Sequence, residues 1–106
     1  MDNLATVKLM IQPDTASDGL LLSLLRSAGE IVLNRRYPFG YPEGTAVPSR
    51  YAQLQCRIAV ELFSKMGAEG QTAHNENGIN RTWEAADVSP SLLRQIIPMA
   101  GSVSDA

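Results

Sequence analysis

The run Tyr37-Pro38-Phe39-Gly40-Tyr41-Pro42 is the strongest constraint in this chain. Each proline lacks a backbone N–H and fixes its own φ, and the residue before it is pushed out of the helical region. No helix passes through such a run. The apolar stretches on either side must therefore belong to separate elements, and the chain must turn between them.

Upstream, Leu21, Leu24, Leu25, Ala28, Ile31, Val32 and Arg35 recur at the three-and-four spacing of one helical face, with Ser23, Arg26, Ser27 and Glu30 opposite. The start is expected at Thr15, which can cap the first amides while Asp18 answers from the third helical position. Asn34-Arg35-Arg36 marks the end, where cations suit the negative pole of the helix. Downstream, Pro48 and Ser49 open a second long helix. Its buried stripe is Tyr51, Leu54, Ile58, Leu62, Phe63 and Met66; Glu61 and Lys65 form an i,i+4 pair on the wet side, and Gly67 stops the helix.

Two shorter helices are expected at the ends. Leu4, Val7, Leu9, Met10 and Ile11 give one over residues 3–11 that Pro13 terminates. Ser89 and Pro90 start the other by a cap-then-proline pattern, and Leu92, Leu93, Ile96 and Ile97 supply its buried face until Pro98. The expectation is a mainly α fold and a single domain over residues 1–106. It is a small helical bundle of two long antiparallel helices plus short N- and C-terminal helices, with a frayed tail at 101–106.

Composition excludes several classes. A net charge of -2 gives no general attraction to phosphate backbones or anionic membranes. The greasiest stretch, residues 19–33, is broken by Arg26 and Glu30 and is shorter than the roughly 20 apolar residues that span a bilayer. The N-terminal residues lack the layout of a secretory signal and read as mature sequence. Cys56 is the one cysteine, so no internal disulfide framework exists, and its mid-helix position reads as a small buried hydrophobe.

Chemistry has little to work with. His74 is the only histidine, and with no second histidine or cysteine a transition-metal site would rest mostly on carboxylates. Glu69, Glu76, Glu84 and Asp87 lie near one another in sequence, but no apolar pocket is evident that would raise a carboxyl pKa. Gly67, Gly70 and Gly78 follow no strand and precede no lysine-serine pair, so they make no phosphate loop. The expectation is no enzyme, no cofactor and no metal.

The stretch GAEGQTAHNENGINRTWE, residues 67–84, remains. Asn77-Gly78 is a strong hairpin-turn signal, and the flanking residues form a two-stranded ribbon or an extended loop. Only Ile79, Trp83 and some threonine methyls are available for burial, and an isolated hairpin is marginal in water. Its free edges can be completed by a neighbouring chain. The segment is thus a projecting arm that orders on contact with another subunit.

Several blocks resemble one family. Asn34-Arg35-Arg36-Tyr37-Pro38-Phe39-Gly40, Ile58-Ala59-Val60-Glu61-Leu62, Gly67-Ala68-Glu69-Gly70-Gln71-Thr72, Glu76-Asn77-Gly78-Ile79 and Ser91-Leu92-Leu93 with Ile97-Pro98 are similar to the tailed-bacteriophage head-to-tail connector proteins, which complete the head beneath the portal. His74-Asn75 departs from the serine that many relatives carry after the histidine, and leaves the turn signal intact.

The resemblance implies a structural virion protein of the head-tail junction, assembled in the host bacterial cytoplasm. It implies a ring of copies of this chain, dodecameric when assembled, that stacks on the portal protein and meets the next head- or tail-completion protein. DNA would pass through its channel without sequence-specific binding, and no membrane is involved. It assigns partner contacts to Glu69, Gln71, Thr72, His74, Glu76, Asn77, Ile79, Arg81 and Trp83 in the arm, and to the C-terminal helix. Arg35 and Arg36 are candidates for contact with the portal or with DNA in the channel. A wall without a strong basic lining suits sliding DNA, and a neutral one would serve equally.

Two other classes compete. A small helical DNA-binding module would place Arg35 and Arg36 on phosphates and bind duplex in a salt-dependent way. A hydrolase would use His74 and Glu76.

Overall fold

A computed structural model of the protein describes residues 2–68 and 83–99. Among them are four α-helices: α1 (Asn3–Met10), α2 (Asp18–Arg36), α3 (Ala52–Ala68) and α4 (Pro90–Leu93). Short 3-10 turns lie at Ser49–Tyr51 and Ala85–Asp87, and there is no strand among the described residues. The chain is mainly helical. The hairpin expected over residues 67–84 rests on 69–82, which lie outside the described residues, as does the 101–106 tail.

Helix α1 forms because Asp2 stands ahead of it with its carboxylate accepting the Ala5 N–H at 2.8 Å. It ends where Pro13 requires, with the Ile11 N–H still donating to the Val7 carbonyl. Val7 and Ile11 enter the core, whereas Leu9 is 52% exposed. The apolar face is therefore narrower than the composition of the segment suggests.

The start of α2 corrects an expectation. Ser17, not Thr15, is the cap: its backbone is extended and its Oγ accepts the Leu20 N–H at 3.1 Å. Entry at Ser17 brings Leu20 and Leu21 directly into the core, where both are fully buried. Asp18 becomes the first helical residue, and its carboxylate pairs with Lys8 of α1 at 2.7 Å. The capping box proposed for Thr15 has no room to form.

The stripes of α2 and α3 face each other. Leu21, Leu24, Leu25, Ala28, Ile31 and Val32 pack with Leu54, Ile58, Ala59, Leu62 and Met66 in a single apolar cluster. Gly29 is buried beside the contact: a Cβ there would lie 2.9 Å from Gln55 Nε2 and 3.3 Å from Val47 Cγ2. The space it leaves lets Gln55 donate to the Leu25 carbonyl at 2.8 Å while accepting from Asn3 Nδ2 at 3.3 Å. One amide thus ties three helices together.

After α2, the Tyr37 N–H closes the helix on the Leu33 carbonyl, and Gly40 and Gly44 take φ of +99° and +85°, which side-chain-bearing residues rarely adopt. The turn is the one that the Pro/Gly/aromatic run demands. Pro48 then precedes the 3-10 turn, and α3 proper begins at Ala52 rather than at Pro48 or Ser49. Gly67 does not stop α3, which runs to Ala68. A helical glycine costs only about 1 kcal/mol relative to alanine, too little to break a packed helix by itself.

The C-terminal segment also departs from its pattern. Helix α4 has only 4 residues, followed by turns. Ile96 is buried at 1% exposure, but Ile97 is 60% exposed, contrary to its expected place on a buried face. The helical spacing that put Ile97 beside Leu93 ceases to apply once α4 ends. Trp83, Val88 and Ile96 from this segment complete the core made by α2 and α3.

Candidate assembly interface

Residues 83–99 lie on the α2 and α3 pair through a series of polar contacts. The Glu61 carboxylate accepts from the Ser89 backbone N–H through one oxygen and from the Ser89 hydroxyl, at 2.6 Å, through the other. It thereby caps α4 from another helix. Lys65 donates to the Asp87 carbonyl at 3.2 Å and lies 3.8 Å from the Asp87 carboxylate. Both members of the expected Glu61–Lys65 pair are committed to residues 87 and 89 instead of to each other. Long-range partners with fixed geometry displace a surface pair worth only about 0.3–0.5 kcal/mol.

Arg35 and Arg36 hold the far end of the same segment. Arg35 Nε donates to the Leu93 carbonyl at 2.8 Å, and Arg36 Nη1 donates to the Ile97 carbonyl at 2.6 Å. The Arg36 carbonyl accepts the Met99 N–H at 2.8 Å. Both side chains are half-buried. The sequence brought them forward as portal or DNA contacts; here they clamp the chain's own backbone.

Tyr51 completes the cluster. Its Oη accepts from Arg50 at 3.0 Å and from the Ile97 N–H at 3.1 Å. The Arg36 and Arg50 guanidinium carbons lie 5.9 and 4.9 Å from its ring centroid. Burial alone would raise the phenol's pKa. The hydrogen bonds from Arg50 and Ile97 and the positive charge of Arg50 and Arg36 outweigh it, and the net direction is down from 10.0. Cys56 is raised by burial, as a structural thiol should be.

Of the predicted arm contacts, Glu69, Gln71, Thr72, His74, Glu76, Asn77, Ile79 and Arg81 lie outside the described residues. Trp83 is described, and it sits in the core at 7% exposure, where it anchors the C-terminal end of that segment. The other end is the last turn of α3. Residues 69–82 therefore leave from one fixed point and return to another.

Beside Trp83 a groove of about 720 Å³ opens, lined in part by Ile31, Arg35, Tyr41, Trp83 and the carboxylates Glu30 and Glu84. Phe39, on the turn after α2, is 72% exposed. Among the described residues no cluster of histidine, cysteine and carboxylate side chains could hold a metal ion. No helix there is long and apolar enough to cross a membrane.

Sequence reasoning missed Glu61, Lys65, Asp87, Ser89 and Tyr51 as a connected set. Their spacing carries no local signal, because partners 22 to 46 positions apart are joined only by the fold.

The described residues form a helical body in which side chains of α2 and α3 hold residues 83–99 in place, with Phe39 exposed on a surface turn. Comparison with family models identifies the kind of protein: residues 1–99 match the phage gp6-like head-tail connector proteins, and the chain belongs to that family. No curated protein and no solved structure matches it. Family membership makes it a structural connector of the phage virion that works with portal and tail proteins.

Proposed function

We propose that the protein forms a ring, dodecameric when assembled, that stacks under the portal and continues the DNA channel toward the tail. In this reading the two long helices run antiparallel within one domain, and residues 69–82, between the end of α3 and the buried Trp83, project as a hairpin or extended loop. The arm residues Glu69 to Arg81 contact ring neighbours, the portal or the next completion protein. Assembly takes place in the host cytoplasm, and DNA passes without sequence-specific binding.

The observation that carries the proposal is the family match over residues 1–99. The anchoring of residues 69–82 at both ends supports it, because an arm that transmits docking to a body needs fixed roots. The alternative DNA-binding module loses support, since Arg35 and Arg36 already spend donors on main-chain carbonyls.

Electron microscopy of the protein mixed with its portal tests the reading directly: a ring beneath the portal is expected, and portals left bare at saturating protein would refute it. Deleting residues 71–82 should leave the helical body folded while heads fail to join tails. Infectious particles from that deletion would remove the arm as the docking element.

A further inference from the structure

We propose that the groove beside Trp83 receives Arg57 of a neighbouring copy, so that one flank of the body is a socket for the opposite flank of the next. The proposal rests on the ring reading above and deepens it by naming a contact between neighbours.

A ring grows by a heterologous contact, in which two different faces of one chain meet. The fold supplies two such faces. On α3, Leu54, Ile58, Leu62 and Met66 pack in the shared core, while Gln53, Arg57 and Ser64 are exposed on the side turned away from it. On α2, Leu21, Leu24, Ala28 and Ile31 pack in the same core, while Leu22, Arg26 and Glu30 are exposed on the side turned away. The buried stripes of a packed pair face each other, so Arg57 and Glu30 look out from opposite flanks.

The socket is acidic at its rim and apolar within. Glu30 and Glu84 are exposed, and neither carboxylate has an ion-pair partner among the described residues. Ile31, Pro38, Tyr41, Trp83 and Pro98 give the groove its apolar walls. Arg35 also lines it, with its Nε already bound to the Leu93 carbonyl. Two carboxylates above ring and proline surface suit a guanidinium on an aliphatic stem: the walls cover the stem and the rim meets the charge.

Elimination identifies the cation. Among the described residues, Arg26, Arg57 and Arg94 have no hydrogen-bond or ion-pair partner. Arg26 lies one turn from Glu30 on the same helix face. Arg94 follows Leu93, whose carbonyl is held by the groove-lining Arg35. Both therefore belong to the socket's own side, and of the three only Arg57 looks out from the other flank. The groove, at about 720 Å³, takes more than one side chain. Gln53 and Val60, one turn to either side of Arg57, enter with it.

The test mixes two full-length variants, Glu30→Arg and Arg57→Glu, both at exposed positions where thermal melts should match the parent. Either variant alone sets like charges against each other at every contact, so ring formation on the portal, read by electron microscopy, should need about tenfold more protein. In an equimolar mixture the two chains can alternate, which restores opposite charges at every contact and should bring assembly back to within roughly threefold of the parent concentration. Mixing cures no folding defect. Should Glu30→Arg lower the melting temperature, Glu84→Arg takes its place.

The contact is overturned if either variant alone forms rings as readily as the parent. It is overturned equally if the loss persists in the mixture, the result expected were the groove a seat for the portal instead. If the parent forms no ring on the portal, the ring reading fails, and sedimentation equilibrium of the mixture at high protein concentration decides the contact separately. Association about tenfold tighter than in either variant alone upholds it, and equal association refutes it.

Discussion

Glu61 and Ser89 are 28 positions apart, and two hydrogen bonds join them: one carboxylate oxygen takes the Ser89 amide and the other takes its hydroxyl. A side chain of α3 thus does for α4 what a helix normally obtains from its own first turn. Helix α4 is too short to hold itself, and its start is fixed by a neighbour.

Glu61→Ala removes both bonds and leaves the Ser89 amide without its charged acceptor. Hydrogen bonds to charged groups are worth about 1.5–3 kcal/mol, so a loss of about 2 kcal/mol is expected. Ser89→Ala should cost about 1 kcal/mol, since the amide bond survives. Urea unfolding of the two single variants and the double variant checks this. Additive losses would show that the residues are not coupled in solution.

Trp83→Ala should cost about 3–5 kcal/mol, the range for emptying a large aromatic site in a core. Removing residues 71–82, which leaves every residue of the described core in place, should cost less. Thermal melts of the two variants compare them directly. A Trp83→Ala protein as stable as the parent would mean that the indole is not a core anchor.

Tyr51→Phe leaves the Ile97 N–H without its acceptor and should cost about 1–2 kcal/mol. The phenol's lowered pKa adds a pH signature. Between the folded-state pKa and 10.0 the unfolded chain binds the proton more tightly, so stability from this group grows as pH rises through that window. It is complete above 10.0 and lost as pH falls through the folded value. Ultraviolet titration should show a phenol ionising below 10.0, and Tyr51→Phe should remove that step.

Cys56 is 1% exposed with a pKa raised by burial. Labelling by an excess of an aromatic disulfide reagent should therefore be limited by opening of the protein, with a rate that rises with urea in step with unfolding. Immediate labelling of the native protein would contradict the buried placement.

The long helices were readable because their signals repeat. Leu21, Leu24, Leu25, Ala28, Ile31 and Val32 carry the same message at every turn, and all six are buried. Single-residue signals were less secure. Thr15 and Ser17 both offer a hydroxyl ahead of the same apolar run, and only the packing of Leu20 and Leu21 chooses between them.

Glu61 and Lys65 satisfied a local rule so well that their long-range partners were hidden. Ile97 failed for a related reason: helical spacing was extended past Leu93, where the helix had ended. Trp83 reads as a partner contact on the arm because its neighbours in sequence are polar, and what buries it depends on where the chain returns. Arg35 and Arg36 read as candidates for portal or DNA contact because nothing local shows that Leu93 and Ile97 come back to meet them.

The segment between Ala68 and Trp83 is rooted at a helix end on one side and at a buried indole on the other. A pull on it divides between two attachments that load different parts of the body, one along a helical rod and the other by shear across packed side chains. Neither bears the whole of a load applied to the segment, so pulling it free of the body would require both roots to yield.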